Sequence, residues 1–248
     1  MVKGLELFKK YFIDYKDQYV LIGGAACDIN FEDNASSFRV TKDLDMVLIV
    51  EALTSGFGNR FWQFIKDGGY ENKAKSDGRP QFYRFKEPKN EGFPKMIELF
   101  GREQFQLNEL DGITPIHIDD EVSSLSGILL NDEYYECLLR GKTIVNDLSV
   151  LRPEYLILFK AKAHMDLKDK KEKGEKVKSD DVAKHHKDIV RLTAEMLLHR
   201  VDDIPAAVRE DMRLFINSLD NSPFNGDVLQ KYGLTNEEVK NRLTELYL

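Results

Sequence analysis

Two short stretches carry residue types that could do chemistry on a phosphate. Asp43 and Asp45 open an apolar run that continues through Met46-Val47-Leu48-Ile49-Val50, and Gly23-Gly24 closes an earlier apolar run at 19–22. Alternate residues of a strand project to the same face, so the two carboxylates would stand side by side. Adjacent carboxylates repel each other, and a largely buried strand disfavours uncompensated charge. A divalent cation relieves both problems, and magnesium is typically held by one or two carboxylates together with substrate phosphates. A glycine turn lets backbone approach a phosphate closely, with the N–H groups of a following helix aimed at it. The spacing therefore predicts a site for a metal-bound nucleoside triphosphate.

These residues need a scaffold, and the chain is long enough to supply one. It has 248 residues, of which 42% are hydrophobic and 32% charged, the balance of a globular protein with a sizeable core. The formal net charge of −7 argues against a protein that coats nucleic acid nonspecifically, although a local basic groove remains compatible with it. No apolar stretch approaches the roughly 20 residues needed to span a bilayer, so no membrane partner is expected. The first residues, Met1-Val-Lys-Gly-Leu-Glu, lack the apolar core of a signal peptide. Cys27 and Cys137 form neither a disulfide framework nor a zinc pattern. The expected location is a reducing cytoplasm.

Periodicity supplies the elements. Helical spacing covers 5–15, a buried strand 19–22, a helix 25–31, a polar loop 30–37 and a second strand 43–50. Phe57, Phe61, Trp62, Phe64 and Ile65 have helical spacing, and Asp67-Gly-Gly ends that helix. Strands are expected at 81–85 and 95–100, and an extended segment at 113–118, whereas 125–151 gives no clear signal. Pro153 suits the first turn of a helix that continues over 155–167. Residues 168–178 hold six lysines, three acids and a glycine, and are expected to be a mobile connector. Helices follow at 180–198 and 206–219, and Thr235-Asn-Glu-Glu238 reads as a capping box opening a last helix. The fold class is thus α/β (α+β): a mixed-sheet part, 1–150, followed by a helical part, 151–248.

The ordered set of motifs goes further. Gly23-Gly24-Ala25-Ala26 is followed by Arg39-Val-Thr41-Lys-Asp43-Leu-Asp45, then Lys95-Met-Ile-Glu98-Leu-Phe100, Lys160-Ala-Lys-Ala163 and Lys187-Asp188-Ile189. This order resembles the nucleotidyltransferase superfamily, whose fold is that of the DNA polymerase β palm. The fuller string looks like its AbiE-type branch, the nucleotidyltransferase toxins of bacterial type IV toxin–antitoxin and abortive-infection systems. The resemblance implies magnesium (one or two ions) held by Asp43, Asp45 and Glu98, with Glu98 also activating the incoming hydroxyl. It implies that Gly23 and Gly24 cradle the phosphates while Arg39 and Thr41 brace the nucleotide. Lys160 would neutralise charge on the triphosphate, and Asp188 would fix Lys187 or a neighbouring group, with the helical part contributing to the nucleotide site. The implied reaction transfers a nucleoside monophosphate from a nucleoside triphosphate to an acceptor hydroxyl. RNA such as a tRNA 3′ end is the implied acceptor, and a co-encoded antitoxin protein the implied partner. Two positions depart from the pattern: Glu98 stands where aspartate is common, and Ala25 where a hydroxyl residue often follows the glycines.

Plainer readings stand beside these. Asp43 and Asp45 could be the charged start of an edge strand, Glu98 a solvent-facing acid, and Asp188 a surface acid of a helix. His185-His186 invites a metal reading, but adjacent helical residues face about 100° apart and do not chelate together easily. The aromatic residues at 57–64 read as core. Two functional alternatives stay open: a degenerate nucleotide-binding protein without turnover, and an enzyme that nucleotidylates a small molecule, as antibiotic-modifying enzymes do.

Overall fold

The computed structural model describes residues 2–33, 43–70, 82–101 and 131–248. The segment expected at 113–118, together with Arg39 and Thr41, lies outside the described residues. The chain groups into two compact units, one of residues 1–130 and 142–152, the other of 131–141 and 153–248.

The first unit is built on a six-stranded mixed sheet. Its strands are β1 (Tyr19–Leu21), β2 (Asp43–Leu48), β3 (Phe82–Lys86), β4 (Met96–Phe100), β5 (Lys142–Val145) and β6 (Leu148–Leu151), in the spatial order β3-β4-β2-β1-β6-β5. β2 pairs antiparallel with β1 and parallel with β4, so it lies inside the sheet rather than at an edge. Alternation then sorts its side chains. Leu44, Met46 and Leu48 are fully buried, and Tyr19 and Leu21 of β1 pair with Leu48 and Met46 on that same face.

This apolar face meets an aromatic layer from α1 (Leu5–Phe12) and α3 (Ser55–Gly68). Tyr19 meets Phe8 edge-on at 5.5 Å between ring centroids, and Phe12 lies 5.5 Å from both Phe57 and Phe64. Phe85 of β3 joins through Phe61 at 5.4 Å. Each such ring contributes about 1.5–3 kcal/mol by leaving water. The layer fixes which face of β2 is inward, and so which face carries Asp43 and Asp45. The aromatic residues of 57–64 are accordingly core, as their spacing predicts. Thr54 caps α3 by accepting from Phe57 N–H, and Gly69 at φ +62° ends it.

α2 (Gly23–Asp33) follows β1 directly and packs on β2. It runs to Asp33, past the expected helix end at Phe31 and into the stretch expected as a loop. Asn30 is buried but satisfied, because its Nδ2 donates to the carbonyls of Ala26 at 2.7 Å and Leu151 at 3.0 Å. β5 and β6 form a hairpin that periodicity does not reveal. Its two-residue turn, Asn146-Asp147, has φ of 49° and 66°, the left-handed pair that suits a tight hairpin.

The second unit is helical: α4 (Asp132–Gly141), α5 (Pro153–Glu172), α6 (Ser179–Glu195), α7 (Ala206–Ser218), α8 (Gly226–Lys231) and α9 (Asn236–Tyr247). α5 is its centre, packed by α4, α6 and α7. Its first half is therefore buried on all sides, from Glu154 to Ala161 without a break, and shows no polar face. The helix continues to Glu172, into the lysine-rich run expected to be a connector. Lysine and glutamate are good helix formers, and Gly174 at φ +87° marks the stop. The capping box at Thr235 is present, with Thr235 and Glu238 bonding reciprocally. Among the described residues no helix is long and apolar enough to cross a membrane.

Candidate active site

Three strands of the first unit bring charge together on the face opposite the aromatic layer. In register, Asp45 of β2 pairs with Glu98 of β4, and Glu98 pairs with Arg84 of β3. Cross-strand partners share a face, so Asp45, Glu98 and Arg84 form one row across the sheet. Asp43 lies one pleat repeat away on the same face, opposite Met96. The order is dictated by alternation: Leu44 and Ile97 occupy the intervening positions and point to the core.

Glu98 is engaged by Arg84. The Arg84 Nε donates to Glu98 Oε1 at 2.7 Å, and Nη2 reaches the same oxygen at 2.6 Å. Side-chain exposures of 24% and 12% place the pair largely out of water, where a charge-assisted hydrogen bond is stronger than at a surface. Arg84 escapes sequence reasoning. Charged and apolar residues alternate along β3, which hints that Arg84 lies opposite Phe85, but only strand pairing reveals its partner.

Gly23 links the carboxylate strand to α2. Its φ of +62° lies in the left-handed region, and a Cβ there would overlap Asp45 Oδ2 and sit 3.0 Å from Asp45 Cγ. Glycine is thus required on two grounds, backbone conformation and contact with the carboxylate. Ile22 N–H donates to the Asp45 carbonyl at 3.0 Å, which ties the same turn to β2. The first N–H groups of α2 therefore open beside Asp45, the arrangement that favours an anion or an ion-bound phosphate.

The fit to magnesium is partial. Among the described residues, no three His, Cys, Asp or Glu side chains come together as a set that could hold a metal ion. The structure thus does not assemble the three-carboxylate set of Asp43, Asp45 and Glu98, and Glu98 is instead turned to Arg84. Asp43 and Asp45, alternate on one face of β2, match what magnesium asks of a protein when phosphates supply further ligands.

The remaining expected residues belong to the second unit. Lys160 of α5 and Asp188 of α6 form an ion pair at 2.7 Å, with residue exposures of only 6% and 3%. Of the two expectations for Asp188, fixing Lys187 or a neighbouring group, the structure has it hold Lys160. The reason is helical geometry: neighbours on a helix diverge by about 100°, so Asp188 faces α5 while Lys187 is exposed. His185 lies beside the pair, and desolvation together with the Lys160 charge holds its pKa well below the usual histidine value, so it is neutral.

No family model and no curated protein matches the chain. Among solved structures, an antigenic nucleotidyltransferase-like protein from Paracoccidioides brasiliensis aligns over 92% of each chain, with 15% identity and a TM-score of 0.42.

Proposed function

We propose that the protein is a magnesium-dependent nucleotidyltransferase of the AbiE toxin type, transferring a nucleoside monophosphate from a nucleoside triphosphate to an acceptor hydroxyl. The observation that supports this most is the contact of Asp45 with Gly23, which sets a carboxylate strand against a glycine turn at a helix start. Asp43 and Asp45 would hold the ion, which supplies charge neutralisation at the phosphates and polarises the reacting oxygens. The N–H groups after Gly23 and Gly24 would bind the phosphates. Glu98, with Oε1 fixed by Arg84, would use its other oxygen to orient the acceptor hydroxyl. As the hydroxyl proton passes to that Glu98 oxygen, the hydroxyl oxygen would form a bond to the α-phosphorus, the bond to the β-phosphate oxygen would break, and pyrophosphate would leave with the electron pair. Lys160 is paired with Asp188 inside the second unit, and its assignment to the triphosphate charge rests on the family resemblance alone. RNA is the acceptor class, a co-encoded antitoxin the protein partner, and the cytoplasm the location in this proposal.

A second reading is favoured by one observation: Glu98 and Lys160 are both already engaged in ion pairs, as in a protein that binds nucleotide without turnover. Pyrophosphate release separates the two. With magnesium, each triphosphate in turn and total cellular RNA, the transferase releases pyrophosphate in proportion to RNA. A magnesium-dependent rise in melting temperature with no pyrophosphate supports binding alone, and no response to nucleotide in either measurement overturns both.

A further inference from the structure

The second unit contains a cavity of about 400 Å³ that the transfer reaction does not use. Its volume falls in the range of small-molecule sites, about 300–1,000 Å³. Its walls come from α5, α6, the turn before α8 and α8 itself, and include Lys171, Lys187, Ser179, Ser222 and Asn225. Neither Lys160 nor Asp188 lines it.

Charge sets the ligand class. Among the described residues the lining contains two lysines and no carboxylate, in a chain whose net charge is −7. Asp181, in the first turn of α6, is paired with Lys184 at 3.3 Å and does not line the cavity. Hydrogen-bond groups are arranged to donate. Lys171 Nζ donates to Ser179 Oγ at 2.8 Å, which leaves the Ser179 hydroxyl proton to point elsewhere. Asn225 uses its side-chain oxygen to cap α8 through Val228 N–H, which leaves its amide N–H groups available. α6, of 17 residues, begins here with Ser179, and Lys178 before it makes no side-chain cap.

A histidine pair closes one side of the cavity. His164 and His186 stack at 3.6 Å between ring centroids and share the cavity wall. His164 Nδ1 donates to the Val182 carbonyl at 3.1 Å. His186 is 9% exposed, and its Nε2 is shielded from solvent with no hydrogen-bond partner among the described residues.

We propose that this cavity binds a phosphorylated small molecule, with Lys171, Lys187 and Ser179 on the phosphate and the His186 ring beneath it. The proposal does not rest on the transfer reaction. The test is NMR of the imidazole C–H signals in the full-length Asp45→Ala protein, in EDTA, at constant ionic strength. His164→Gln and His186→Gln assign the signals, and inorganic phosphate, AMP and a short oligouridylate are the probes. Saturable shifts of the His164 and His186 signals with phosphate and AMP are expected, with affinity weakened roughly tenfold or more in Lys171→Ala/Lys187→Ala. Both lysines are exposed, so that variant retains its fold. The proposal is overturned by unsaturated shifts matched by added chloride, by shifts unchanged in the lysine variant, or by shifts with oligouridylate alone.

Discussion

At the scale of single residues, the site depends on how closely Asp45 approaches the turn at Gly23. Replacing Gly23 by Ala forces a side chain into the left-handed region, at a cost of about 1–2 kcal/mol, and drives a methyl group into the carboxylate. We expect Gly23→Ala to lower the melting temperature by several degrees and to reduce transfer far more than the lost stability explains; near-normal transfer would show that Asp45 need not sit there. Arg84 and Glu98 give a second expectation. Removing one partner leaves the other charge largely buried, so Arg84→Met and Glu98→Gln should each destabilise, and the double variant should cost less than their sum by about 0.5–3 kcal/mol. Additive denaturation free energies would contradict the pairing. The aspartates and the glycine were legible in the sequence because their chemistry depends on spacings of one or two residues. Arg84 was not, since its meaning comes from the register of β3 on β4, which no local pattern encodes.

At the scale of elements, the Lys160–Asp188 pair joins α5 to α6 inside the second unit. A buried pair is costly to break from one side. Lys160→Met should destabilise by about 3–5 kcal/mol in urea unfolding, and adding Asp188→Leu should restore most of it. Equal loss in single and double variants would mean that the pair does not hold the helices. Helices with a polar face, such as α1 and α3, announce themselves by periodicity, and β2 by its alternating start. The elements that escaped did so for physical reasons. α2 runs past Phe31 into the stretch read as a loop, and its polar Asn30 is tied to two carbonyls, one from 121 positions away. The lysine-rich end of α5 reads as unstructured although its residues favour helix. The hairpin of β5 and β6 rests on Asn146-Asp147, whose left-handed pair is less obvious than an Asn-Gly turn.

At the scale of the whole molecule, acid should act on the second unit first. Burial holds His164 below its ordinary pKa and pushes His186 down to about 3, while His185 is held well below as well. These rings are neutral when folded and become protonated when unfolded below about pH 6.5. Unfolding therefore takes up protons, so stability is complete above that pH and falls as the medium is acidified, by up to about 1.4 kcal/mol per pH unit for each ring. For His186 the loss continues toward about pH 3. His186→Phe should flatten the pH dependence of urea unfolding between pH 6 and 4; an unchanged slope would show that the ring is not buried neutral.

The central claim concerns the first unit, where Asp45 meets the glycine turn and Asp43 shares its face of β2, and isotopic labelling tests it most directly. The protein is incubated with magnesium, cellular RNA and each nucleoside triphosphate labelled in turn at the α- or the γ-phosphate. The account predicts that α-label becomes covalently attached to RNA, that γ-label does not, and that Asp45→Ala abolishes the transfer. Attachment of the γ-label, or α-label transfer that survives in Asp45→Ala, would contradict it.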